Sequence, residues 1–175
     1  FAPFNSYSSH INMNVNALMK LPEKFTLEQG AAFPVIYITA HMMMFDLGNL
    51  KKNEYFFIQG AGGGVGTAAV QLGKSIGAKI IGTSSSWKHD KLKEMGVDLC
   101  IDYKNENVKE KILEYTKNYG VDLIIDPVGA KEWNESYKTL SPMGGTKVRI
   151  PNINKIKKLG FKQKFNLEKG LKKIL

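Results

Sequence analysis

The sequence predicts an α/β chain built on a doubly wound parallel sheet, and three observations carry that expectation. Short apolar runs suited to buried strands alternate with helical stretches from about residue 50 to 150, in units of about 20 to 35 residues. Glycines at 77, 96 and 120 stand where those helices must stop. A dense cluster of glycines at 60, 62, 63, 64 and 66 separates the first apolar run from the helix that follows it.

Taken in chain order, residues 1–25 are rich in Asn and Ser, and the alternation Ile11-Asn12-Met13-Asn14-Val15 suits an edge strand. Leu21-Pro22-Glu23-Lys24 breaks it, and a Thr26 cap signal introduces a helix over Ala31 to Leu47, around Pro34. Tyr55-Phe56-Phe57-Ile58 reads as a strand covered on both faces, followed by a helix from about Thr67 to Ile76. Lys79 to Thr83 is a second strand, Lys88 to Met95 a second helix of this repeat, and Leu99 to Asp102 a third strand. A helix over Asn107 to Asn118, a strand over Val121 to Asp126, a helix over Glu132 to Leu140 and a fifth strand over Thr146 to Ile150 complete the pattern.

The composition is globular, with 43% hydrophobic and 23% charged residues in 175. No uninterrupted apolar run reaches the roughly 18 residues of a membrane span, so a transmembrane chain is not expected. The start, Phe1-Ala2-Pro3-Phe4-Asn5, shows no targeting signal and reads as a piece of a longer protein. The lone Cys100 excludes an internal disulfide and a cysteine-rich zinc site, fits a reducing, cytoplasmic setting, and is expected in the core. His10, His41 and His89 are scattered, so no metal site is expected. The net charge of +9 is uneven. Residues 151–175 hold eight lysines against Glu168 and so carry +7 of it. That basic tail reads as a solvated end, an acidic-membrane or partner patch, or a nucleic-acid contact. Gly160 and Gly170 weaken a single amphipathic helix there, and nothing supports base readout, so no nucleic-acid partner is expected.

The glycine cluster carries the chemistry. A dinucleotide pyrophosphate needs backbone N–H groups and a helix N-terminus within reach, and side chains would block the approach. Ala61, Gly63 and Gly66 fit the dinucleotide fingerprint in one frame, and Gly64, Gly66 and Ala69 in another. The bland alternative is a flexible strand–helix turn. At the end of the second strand, where NAD-preferring sites place an acid about 20 residues on, the chain has Thr83-Ser84-Ser85-Ser86-Trp87-Lys88. Hydroxyls and an ammonium there suit a 2′-phosphate, so NADPH is the expected cofactor, with a merely solvated Lys88 as the alternative. Trp87 reads equally as a surface to lie against adenine or as an exposed loop aromatic. Met42-Met43-Met44 and Trp133 read first as packing residues.

The run from Asn53 to Lys74, NEYFFIQGAGGGVGTAAVQLGK, resembles the quinone oxidoreductase signature of the zinc-independent medium-chain reductases, with Phe57 in place of the usual Leu. With AAFPVIYITAHMMMFDLGNL (31–50), GTSSSWKHDKLKEMGVDLCIDY (82–103), GVDLIIDPVG (120–129) and YKTLSPMGG (137–145), residues 11–148 are most similar to the vesicle amine transport protein branch of that superfamily. The resemblance implies a Rossmann-type fold, incomplete here. Residues 1–25 would be the end of a catalytic, GroES-like domain, 26–150 the dinucleotide-binding domain, and 151–175 a basic tail that departs from the expected sixth strand.

The resemblance further implies that Gly63, Gly64, Val65 and Gly66 cradle the pyrophosphate. Lys88 and Tyr103, with Ser84 nearby, would hold the 2′-phosphate side, and Thr39 would sit near the nicotinamide. The implied activity is metal-free hydride transfer from NADPH to a quinone or α,β-unsaturated carbonyl, in a protein able to pair as a homodimer. No catalytic proton donor is named, since the acceptor pocket needs the preceding domain, and this chain alone is expected to be a poor catalyst. The alternative from the vesicle branch is a protein peripheral to membranes that handles lipid and keeps the nucleotide fold as a binding module.

Overall fold

The computed structural model describes residues 8–127 and 136–141. Strand β1 (Tyr55–Ile58) lies inside a four-stranded parallel sheet, with β2 (Lys79–Ser84) on one side and β4 (Leu123–Ile125) on the other. Outside β2 runs β3 (Leu99–Asp102), giving the order β3-β2-β1-β4. The register sets Phe57 opposite Ile81 and Ile124, and Thr83 opposite Ile101.

Alternation along β1 shows why an apolar run was needed. Successive side chains of a strand point to opposite faces, and Phe56 and Ile58 pack into one core while Phe57 packs into another. The first core holds Ala40 and Met44, three successive residues of α2 (Gly64–Ile76), namely Ala68, Ala69 and Val70, and Leu92 of α3 (His89–Met95). The second holds Phe57, Ile81, Ile101 and Val121 against Ile112 of α4 (Val108–Tyr115). Helices thus cover both faces, as a doubly wound sheet requires. The chain runs outward from β1 to β3 and then returns to pair β4 on the other side of β1. The strand order therefore reverses at β1.

Helix α1 (Leu27–His41) opens with a capping box: the Gln29 amide donates to Thr26 Oγ1 at 3.2 Å, and the Thr26 amide donates to Gln29 Oε1 at 3.0 Å. It starts earlier than the apolar pattern suggested and passes through Pro34 at the loss of one backbone donor. It continues as a π-helical segment, Met42–Leu47.

Several expectations change. Residues 11–15 form no strand: Asn14 accepts the Asn16 amide at 2.9 Å, capping a 3-10 turn at Val15–Ala17 instead. A side chain that satisfies its own backbone leaves less for a sheet edge. Helix α2 begins at Gly64, three residues before the expected Thr67, because the glycines themselves take up helical geometry. The fourth strand narrows to Leu123–Ile125, with Val121 bridging Leu140 separately. Cys100 packs against the first core as expected, though it is half-buried, with its Sγ 3.8 Å from the His89 carbonyl, and burial pushes its thiol upward.

The expectation about membrane-spanning length also needs correction. Leu27–Leu47 is a helical stretch of 21 residues that contains an 18-residue window of mean hydropathy 1.3, long and apolar enough by those measures alone to cross a membrane. Isolated Glu28, Gln29, His41 and Asp46 interrupt the run, so a count of consecutive apolar residues misses what an average finds. One side of this stretch buries Ala40 and Met44, while Leu27, Val35, Ile38, Met42 and Leu47 are exposed. Most of the expected 132–140 helix, the fifth strand at 146–150 and the basic tail lie outside the described residues.

Candidate functional site

At the carboxyl end of β1 the chain turns sharply at Gly60, whose φ of 72° lies in the left-handed region. Thr83, at the end of β2 and almost fully buried, holds this turn from beside it. Its Oγ1 accepts the Gly60 amide at 3.0 Å and its carbonyl accepts the Ala61 amide at 2.9 Å. The Gly63 amide donates to the Gly60 carbonyl at 2.9 Å, closing the loop. Helix α2 then starts with Gly63 at its N-cap, extended and without a side-chain cap. Its first amides therefore lack the usual side-chain acceptor.

Gly66 explains the tightness of the packing. A Cβ there would run into the carbonyl oxygens of Gly60 and Ala61, and backbone cannot swing aside as a side chain can. Helix and loop approach each other closely only because nothing projects between them.

The glycine loop forms one wall of a cavity of about 410 Å³. Gly60, Gly62, Gly63, Gly64, Val65 and Gly66 line it from the loop and helix. Ser84, Ser85 and Lys88 line it from the end of β2 and the 3-10 turn Ser86–Lys88, Tyr103 from the end of β3, and Pro127 from beyond β4. All the predicted site residues except Thr39 therefore share one cavity. Thr39 is half-buried on α1, outside that lining.

Sequence reasoning passed over Gly60, Gly62, Ser85 and Pro127 as lining residues. The first three belong to runs already singled out. Pro127 has no local signal, but a ligand crevice is expected where the strand order reverses, and that places the end of β4 beside the end of β1. Thr83 heads the hydroxyl-rich run expected to suit a 2′-phosphate, but it lies outside the lining and its Oγ1 is taken up by the Gly60 amide, a role that depends on a contact across the sheet.

Among the described residues, Lys88 is the charged one that lines the cavity, and no carboxylate does. Its ammonium donates to the Gly62 carbonyl at 3.3 Å and lies 4.9 Å from the centroid of the Trp87 ring. The nearest acid in sequence to Tyr103, Asp102, is occupied elsewhere. Its carboxylate accepts the Lys104 amide at 3.1 Å and Asn105 Nδ2 at 2.8 Å. These bonds, the amide first, hold its carboxyl below the usual aspartate range. They also fix the turn that presents Tyr103, a half-exposed ring, to the cavity.

The arrangement suits a phosphorylated, planar ligand: close-packed backbone and an uncapped helix start on one side, an ammonium and two hydroxyls on the other. Among the described residues, no group of three or more His, Cys, Asp or Glu side chains could hold a metal ion.

Comparison with known proteins agrees with this geometry. The family model described as zinc-binding dehydrogenase matches residues 64–169. The synaptic vesicle membrane protein VAT-1 homolog of Homo sapiens is 42% identical over 71% of this chain and 32% of its own length. The quinone oxidoreductase of Pseudomonas syringae superposes with a TM-score of 0.68 at 34% identity, over 72% of this chain and 39% of that one. A mycobacterial protein solved in complex with NADPH gives a TM-score of 0.65 at 27% identity, over 70% of this chain and 38% of that one. The chain spans between 26% and 34% of the length of the curated synaptic vesicle membrane protein relatives it matches.

Proposed function

The chain belongs to the zinc-binding dehydrogenase family, and from that premise we propose that it is the nucleotide-binding part of an NADPH-dependent oxidoreductase that reduces quinones or α,β-unsaturated carbonyls. One observation carries the cofactor choice. Among the described residues, the cavity against the glycine loop is lined by Lys88, Ser84 and Ser85 and by no carboxylate, so a 2′-phosphate meets an ammonium and hydroxyls from this lining and no like charge. The NADPH complex of the mycobacterial neighbour supports the same reading.

In this reading Gly63, Gly64, Val65 and Gly66 receive the pyrophosphate on α2's first amides. Lys88 and Tyr103 hold the 2′-phosphate side, with Ser84 beside them. The bound cofactor supplies hydride from its nicotinamide ring, and the protein's task is to orient it and exclude water. The acceptor is a small molecule held between this unit (26–150) and a catalytic domain of which 1–25 is the end. The residues of 151–175 form a separate basic tail, and the whole protein pairs as a homodimer. The zinc of the family's name finds no ligand set among the described residues. Calorimetry of NADPH against NADH on this chain tests the cofactor. Turnover with a quinone and with an enone, on a protein that also carries the catalytic domain, tests the reaction.

A second reading rests on α1. A long apolar helix that leaves Val35, Ile38 and Met42 exposed suits a membrane surface, and relatives carry the name synaptic vesicle membrane protein. On this reading the chain is a membrane-associated, lipid-handling module that keeps the nucleotide fold. Sedimentation with acidic liposomes, which Ile38→Ser with Met42→Ser should abolish, separates it from the first; unaltered sedimentation of the double variant would remove α1 from the account.

A further inference from the structure

Trp87 is the large aromatic side chain that the fold leaves most open, 79% exposed among the described residues. It does no work in either core. It sits on the 3-10 turn Ser86–Lys88, directly after the strand end whose Ser84 and Ser85 line the cavity, and its neighbour Lys88 lines the same cavity. The Lys88 ammonium, 4.9 Å from the ring centroid, ties the indole to the cavity's charged lining residue. An exposed cation–π contact of this kind is worth only about 0.5–1 kcal/mol, so the ring can readily exchange that partner for another flat or cationic group.

We propose that Trp87 is the shelf for the nucleotide's base, stacking on adenine while Lys88 takes the phosphate of the same ribose; the inference rests on the nucleotide reading above. The argument is one of covalent reach. In a 2′-phosphorylated adenosine the base and the phosphate are carried by adjacent ribose carbons, so their protein partners must also be near neighbours. Lys88 and Trp87 are consecutive residues on one short turn, and their interacting groups already touch. An indole face accepts a purine by stacking without reading its edge. This adds a selectivity that the glycine loop lacks: the loop reads phosphate, while the shelf requires a flat base next to it. Trp87 stands beside the cavity lining, whereas Tyr103, half-exposed at the end of β3, is an aromatic within it and is the natural competitor for this role.

The chain has two tryptophans, so Trp133→Phe makes Trp87 the sole indole reporter. Adenosine 2′-monophosphate, which has base and phosphate but no nicotinamide, is titrated by fluorescence and calorimetry into the full chain and its Trp87→Ala, Trp87→Phe and Tyr103→Ala variants. Inorganic pyrophosphate serves as the base-free probe. The expected result is quenching of Trp87 emission and an affinity about tenfold weaker in Trp87→Ala, in line with one base–aromatic stack. Trp87→Phe should recover most of that loss, and pyrophosphate binding should not change. Equal affinity in Trp87→Ala, or a loss confined to Tyr103→Ala, overturns the proposal while leaving the nucleotide site standing. An equal loss for pyrophosphate overturns it too, since Trp87 would then act only through the loop. Failure of both adenosine 2′-monophosphate and NADPH to bind the unsubstituted chain removes the nucleotide reading, and the shelf with it.

Discussion

Replacing Lys88 by alanine tests the cofactor assignment most directly, because the two candidate dinucleotides differ only at the atom group this side chain is placed to meet. In the structure the ammonium has two partners, a neutral carbonyl at 3.3 Å and an aromatic face at 4.9 Å. The first is long for a hydrogen bond and the second is solvent-exposed, so together they hold the side chain by about 1–2 kcal/mol. A hydrogen bond to a charged group is worth about 1.5–3 kcal/mol. Transfer of the ammonium to a 2′-phosphate is therefore favourable, with a net discrimination of about 0.5–1 kcal/mol, or about 2- to 5-fold in Kd. Lys88→Ala should weaken NADPH by about that factor and leave NADH within about twofold. The assay is calorimetry at low and moderate salt, where the NADPH advantage should shrink as ionic strength rises. A matching thermal midpoint for the variant confirms that folding is intact. Equal weakening of both nucleotides would refute the reasoning, since Lys88 would then serve the loop through Gly62 and not the phosphate.

Thr83→Val should keep the shape of a fully packed position but leave the Gly60 amide without its side-chain acceptor. A buried donor left unpaired costs about 1–3 kcal/mol, which denaturant unfolding would register together with weaker nucleotide binding. Gly66→Ala forces a methyl against two backbone carbonyls, so it should lower the thermal midpoint and abolish NADPH binding, whereas Gly63→Ala, whose Cβ would meet only the Gly60 carbonyl at 3.3 Å, should be milder on both counts. Asp102 is held below its ordinary range by the Lys104 amide and Asn105, so its carboxylate adds stability above the unfolded aspartate value of about 3.9 and loses it as pH falls through the lower folded value. The stability difference between the native chain and Asp102→Asn, followed by urea unfolding, should therefore be largest near neutral pH and shrink in acid; a difference that does not vary with pH would show that the carboxylate's charge is not what matters.

What could be read without coordinates was whatever depends on nearest neighbours in sequence. Tyr55-Phe56-Phe57-Ile58 announces a doubly covered strand because both faces must be apolar, and it packs into two cores. Glycines at 77 and 96 end α2 and α3 in left-handed geometry, as expected. The glycine loop and the Ser84–Lys88 run could be paired from sequence because the fingerprint fixes their separation along the chain. The edge strand failed because alternation over five residues says nothing about whether a neighbouring strand exists, and Asn14 had a local alternative. The roles of Thr83 and Pro127 stayed hidden since both arise across the sheet, from the side-by-side ends of β2, β1 and β4.

The same distinction bears on how the site and α1 relate. Gly64, at the start of α2, has Ile36 of α1 against it, so closely that a Cβ would stand 3.1 Å from Ile36 Cγ2. The Tyr37 hydroxyl donates to Gln71 Oε1 at 2.9 Å, one turn and more further along the same helix. Helix α1 is therefore the element that seats α2, whose uncapped start forms part of the cavity wall. The inner face of α1 and of the π-helical segment that continues it is buried through Ala40 and Met44, while Val35, Ile38 and Met42 are exposed. A surface that engaged this outer face, whether a membrane or the catalytic domain, would press on the helix that sets the position of the phosphate-binding amides. Occupation of the outer face and nucleotide affinity should then be linked, and linkage is reciprocal: whatever tightens one must tighten the other by the same factor.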